Sequence, residues 1–129
     1  MFDYDKLYDA CKTGDLEKVN NIVKLGCDPK ADGDNAIYLA SKNGHLDVVK
    51  YLFEIGCDPM TDDNLCILYA SQNDHLEVVK YFVSVGCDPM TDNNLCILYA
   101  SQNGHLEVVQ YLRKEKQKSK KLKTLIQNL

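Results

Sequence analysis

The chain has no apolar run approaching the ~20 residues of a membrane-crossing helix, and its acidic start, Met1-Phe2-Asp3-Tyr4-Asp5, lacks a secretory pattern. The expected address is therefore cytosolic or nuclear. No two Cys or His residues stand at C-x-x-C or H-x-x-x-H spacing, so a zinc site would have to be assembled across distant parts of the chain. No phosphate-cradling glycine loop occurs either. These absences leave no cofactor, metal or catalytic residue to nominate. What is present, 45% apolar and 26% charged residues in a 129-residue chain, suits a single ordinary folded domain.

Six cysteines would suit a disulfide frame in an exported protein, but five of them recur with a fixed spacing. Cys27, Cys57 and Cys87 are thirty residues apart, as are Cys66 and Cys96. In a stack of repeats these thiols fall one layer apart, about 8 to 10 Å for packed helices. A disulfide requires Cα atoms within ~7 Å, so they are expected to stay reduced. Cys66 and Cys96 stand on apolar helix faces, where a thiol acts as a small hydrophobe.

Thirty is the period of the whole chain. Residues 86–112 match residues 56–82 at 23 of 27 positions, and Gly44-His-Leu-Asp-Val-Val-Lys-Tyr-Leu52 supplies a third copy. Gly14-Asp-Leu-Glu-Lys-Val-Asn-Asn-Ile22 is a fourth, more polar, as befits a terminal unit with one face in water. Each unit reads as two short helices. In the third, an apolar segment through Leu65, Ile67, Leu68 and Tyr69 ends at Ala70-Ser71. After the break Gln72-Asn73-Asp74, the residues Val78, Val79, Phe82 and Val83 form one helical stripe. Glycines 26, 56 and 86 sit where a left-handed residue closes a helix, and prolines 29, 59 and 89 follow three residues later, where they block continuation. His45, His75 and His105 repeat with the units, and repetition argues against catalysis, which needs different groups converging on one point.

The strings Gly44 to Leu52 and Gly56-Cys-Asp-Pro59 resemble the ankyrin signature, G-H-x-x-V-V-x-x-L-L followed by G-A-D-V-N, over about residues 4–112. The resemblance implies an all-α, ankyrin-like solenoid of stacked helix-turn-helix repeats. Its units fall at 4–33, 34–63, 64–93 and 94–116, followed by a basic amphipathic tail at 117–129. It also implies a non-enzymatic scaffold that binds a protein partner through its concave surface, as a monomer with no small-molecule substrate. The family's usual period is 33. A period of thirty removes three residues from each joining loop, so shortened loops and a blunted hairpin are expected. The family's T-P-L-H is replaced by Leu65-Cys-Ile-Leu68 and Leu95-Cys-Ile-Leu98, with apolar packing expected in place of its hydrogen bonds. Near-identical thirty-residue units with Lys-Tyr-Leu resemble the large ankyrin sets of giant DNA viruses, which would place the protein in a host cell.

By motif position, the residues expected to face a partner are Asp32, Asp34, Asp62, Asp63, Asp92 and Asn94 in the loops. On the first helices they are Lys42, Asn43, Gln72, Asn73, Gln102 and Asn103. Such a lip is acidic and would favour a basic partner segment. The plainer reading of the same aspartates is turn chemistry beside Gly or Asn.

Charge divides the chain. Residues 1–112 carry 8 basic and 18 acidic side chains, whereas residues 113–129 carry 7 basic and 1 acidic. Leu122, Leu125, Ile126 and Leu129 recur at i, i+3, i+4 and i+7, so the tail can form an amphipathic helix. Three readings stand side by side. The tail folds back to cap the stack, or its lysines contact nucleic acid or act in nuclear targeting, or the helix lies on an anionic membrane or in a partner's groove.

Overall fold

The computed structural model describes residues 3–129, apart from the side chains at 63, 92 and 93. Eight helices and no strand occur among the described residues: α1 (Tyr4–Thr13), α2 (Leu16–Lys24), α3 (Ala31–Lys42), α4 (Leu46–Glu54), α5 (Thr61–Gln72), α6 (Leu76–Ser84), α7 (Thr91–Gln102) and α8 (Leu106–Gln127). They pair in chain order. Each odd helix packs on the even helix that follows it and on the odd helices of adjoining pairs, giving the all-α stack that the period implies.

Small residues on the odd helices and branched ones on the even helices build the core. Ala36, Ala40, Ala70 and Ala100 let the odd helices approach closely, while Val48, Val49, Leu52, Val78, Val79, Phe82, Val108 and Leu112 fill the layer behind them. Of the stripe read from the third unit, Val78, Val79 and Phe82 are fully buried and Val83 is half-buried. Truncating a side chain such as Leu52 to Ala would cost about 3 kcal/mol in lost burial and cavity. The buried Ser41 and Ser71 hydroxyls donate to the Ile37 and Ile67 carbonyls one turn back, at 2.6 and 2.8 Å.

The recurring cysteines close helices. In α4, the Gly56 N–H donates to the Phe53 carbonyl and the Cys57 N–H to the Leu52 carbonyl, a left-handed helix stop in which the residue after glycine packs inward. Cys27 and Cys87 repeat this arrangement. All six thiols are buried and none forms a disulfide. Burial pushes the Cys11 and Cys57 thiols up to about 12, so they remain protonated.

Two features sharpen the sequence reading. The short connectors that the period implies contain left-handed backbone. Asp32, Gly33 and Asp34 have φ/ψ of 56/45, 65/41 and 62/38, one left-handed turn merged into the start of α3. Asp62, Asn64 and Asn94 also have positive φ. Asp and Asn are the non-glycine residues that tolerate this region best, which is why such residues crowd these positions. No strand hairpin occurs in the connectors among the described residues, in keeping with the shortened period.

The second feature is the tail, where the structure departs from one of the three readings, the fold-back cap. Helix α8 runs on through Gln127 without folding back, and Leu122, Leu125, Ile126 and Leu129 are exposed rather than packed over the end of the stack. Its start belongs to the repeat pattern and its remainder projects beyond the other even helices.

Candidate concave interface

The left-handed residues place acidic side chains at the entrances of α3 and α5. A recess of about 250 Å³ between the α3 and α5 entrances is lined by Asp32, Asp34, Asp58, Asp62, Thr61 and Tyr38, among others. It therefore gathers three of the anticipated residues, Asp32, Asp34 and Asp62. The side chains of Asp63 and Asp92 lie outside the described residues. Asn94 lies in another recess, beside Asp88 and the lysines of α8.

Several carboxylates have structural work here. The Asp34 carboxylate accepts from the Asp58 N–H at 3.2 Å and from the Thr61 hydroxyl at 3.1 Å, joining one connector to the next. Asp32 accepts from the Tyr8 hydroxyl at 2.7 Å, which links α1 to the first connector. Burial and this carboxylate together push the Tyr8 hydroxyl well above its ordinary range. Hydrogen bonding thus survives in the turn beside the apolar packing of Cys66 and Ile67. The negative potential reaches inward. Burial first, then the Asp34 charge, raises the Cys57 thiol, and Cys66 feels Asp34 and Asp58 as well.

At the other end of the odd helices, Lys42 sits over two rings, 5.9 Å from the Tyr38 centroid and 5.5 Å from the Tyr69 centroid. Those rings meet edge to face at 5.6 Å. The Asn43 and Asn103 amides donate to the Leu39 and Tyr99 carbonyls of their own helices, and Asn73 donates to the Lys42 carbonyl of the preceding pair. Gln102 is exposed and Gln72 is half-buried. Among the described residues, Asp32, Asp34 and Asp62 thus gather at the α3 and α5 entrances, and the amide side chains stand at the helix exits.

Sequence reasoning missed Asp58, Thr61 and Tyr8. A signal existed for the first two, since Asp58 and Asp88, like Thr61 and Thr91, recur at thirty-residue spacing. It also missed the reach of the histidines. His45 Nε2 lies 2.7 Å from the Lys12 carbonyl and His105 Nε2 lies 2.8 Å from the Gln72 carbonyl, so each ring donates back to the preceding odd helix. Among the described residues, no group of three His, Cys, Asp or Glu side chains could hold a metal ion.

Two-helix units stacked in register, with glycine between the helices and a histidine reaching back, define a helical repeat protein. A family model of ankyrin repeats, in three copies, matches residues 7–93 and again residues 55–124. The chain belongs to the ankyrin repeat family. No curated protein matches it.

Proposed function

We propose that the chain is a non-enzymatic scaffold of four units, at 4–33, 34–63, 64–93 and 94–116, that binds a basic segment of a protein partner along its concave face. Ankyrin repeats are generally protein interaction modules. The observation that supports the finer reading is the recess where Asp32, Asp34, Asp58 and Asp62 converge beside Tyr38. Tyrosine next to aligned carboxylates suits a Lys- or Arg-bearing peptide, with the ring contributing contact area and the charges contributing steering. Among the described residues no helix is long and apolar enough to cross a membrane, and we infer a cytosolic or nuclear setting.

The test is binding of an arrayed set of fluorescent basic and acidic peptides, read by anisotropy at two salt concentrations. Asp32→Asn with Asp62→Asn removes charge at the lip and spares Asp34, which holds the connectors together. This variant should weaken binding of basic peptides about tenfold, with a loss that shrinks as salt rises. Equal affinity of wild type and variant, or a preference for acidic peptides, would reject the reading.

A further inference from the structure

Helix α8 has 22 residues where α4 and α6 have nine. The excess projects about 20 Å at 1.5 Å per residue. Leu122, Leu125 and Leu129 follow Tyr111 by 11, 14 and 18 residues, close to whole numbers of turns, so they share its side of the helix. Tyr111 faces the preceding pair, with the Lys80 ammonium of α6 lying 5.8 Å from its ring centroid. The apolar stripe therefore points toward the side of the stack where α6 lies, past the place where α6 ends. A flat bilayer pressed against that face would collide with the earlier units, whereas an object the width of a helix or a connector fits.

The same edge of the stack carries the connectors. Leu25, Ile55 and Met60 are exposed there, and so are Asp28, Asp58 and Asp88, one aspartate per unit at a spacing of about 10 Å. Within the chain a lysine face of α8 already stands across from such a connector, where Lys116, Ser119, Lys120 and Lys123 line a recess of about 210 Å³ with Asp88 and Met90. The unbroken helix prevents its own tip from reaching the earlier connectors. We propose that the α8 overhang of one copy lies across the connector edge of a second copy, and that two copies exchange these arms reciprocally as a dimer. The overhang spans about two units, and the 5 basic and 1 acidic side chains of residues 115–129 meet a body, residues 1–112, with 8 basic and 18 acidic ones. Pairing the two stripes alone would cover only two helical turns, well short of the ~1,200 Å² of a stable interface, whereas two arms laid across two edges approach it. Reciprocity closes the assembly and avoids filaments.

Sedimentation velocity on the full chain, from about 1 to about 200 µM, tests this. Wild type should pass from monomer to dimer within that range, and added salt should shift the transition upward. Leu125→Lys with Ile126→Lys changes exposed residues, so helix content and urea unfolding should stay as in wild type while dimerisation weakens at least tenfold. Asp28→Asn with Asp58→Asn keeps an oxygen acceptor in each connector turn and should also weaken the dimer. A wild type that stays monomeric throughout would overturn the proposal, as would a dimer indifferent to either variant pair. Retention of monomer on phosphatidylserine vesicles through the overhang would overturn it too.

Discussion

The first helix pair and the three that follow solve the same problem differently. At the start of α2, Asp15 caps its own helix, its carboxylate accepting from the Lys18 N–H at 3.1 Å. At the equivalent positions, His45, His75 and His105 make no side-chain cap bond to their own helices. Two of their rings reach a carbonyl 33 residues back, and His75 bonds to the Lys42 backbone in the same manner. Local capping is thus exchanged for a bond between neighbouring units wherever a preceding odd helix is at hand. Each ring also needs room. His45 lies against Gly14 and His75 against Gly44, both with φ of 79, whereas His105 meets Asp74, with Nδ1 and Oδ2 3.8 Å apart. A stack can therefore hold its layers through one repeated imidazole contact, provided that the residue beneath the ring is small or complementary.

The sharpest way to break this pattern is Gly44→Ala. The left-handed backbone alone costs an alanine roughly 1 to 2 kcal/mol, and the new methyl would displace the His75 ring, for a total of about 3 kcal/mol in urea unfolding. Gly104→Ala has nothing within 4 Å of the added carbon and should show the backbone cost alone, about 1 kcal/mol. Equal losses at the two glycines would mean that the ring contact carries no weight. Next in size is the deletion of the imidazole. His45→Ala should cost about 1 kcal/mol by removing the bond to the Lys12 carbonyl, a loss similar in size to Asp15→Ala through its cap. Introducing His75→Ala into the Gly44→Ala background should recover part of the glycine penalty, a coupling that a double-mutant cycle measures.

A smaller effect follows from pH. Burial, the leading cause, lowers the His75 pKa below its ordinary 6.5 and so disfavours the imidazolium in the folded chain. The unfolded chain then binds more protons as pH falls below that value. The contribution of His75 is thus complete above about pH 6.5 and declines as pH drops through the folded value. Chemical denaturation at pH 7.5 and 5.5 should show this fall, and His75→Gln should reduce it; an unchanged slope would remove His75 as the cause. The least change is expected from Asp74→Gly, which relieves a positive φ of 66 but loses the partner of His105, for a net shift under about 1 kcal/mol. A larger loss would show that the pair at His105 outweighs the backbone.

The period, the paired helices and the core stripe were legible because each rests on local spacing: Val78, Val79 and Phe82 fall on one helical face whatever surrounds them. The histidine contacts were hidden because they join residues a full unit apart and depend on how closely two layers approach. Asp32, Asp34 and Asp62 were assigned to loops, and their left-handed backbone was not foreseen. Turn-forming and left-handed conformations draw on the same residues, so composition could not separate a loop from a reversed helical turn. The tail's amphipathic pattern could be read directly, but its failure to fold back depends on α8 continuing without a break, and no glycine or proline occurs from Leu106 onward to mark a bend.

The connector at Asp32-Gly33-Asp34 is a short passage of the mirror-image polypeptide set within an ordinary one. Residues of the opposite chirality would occupy its backbone at rest, so a chemically synthesised chain bearing D-alanine at position 33 would find its preferred geometry already waiting.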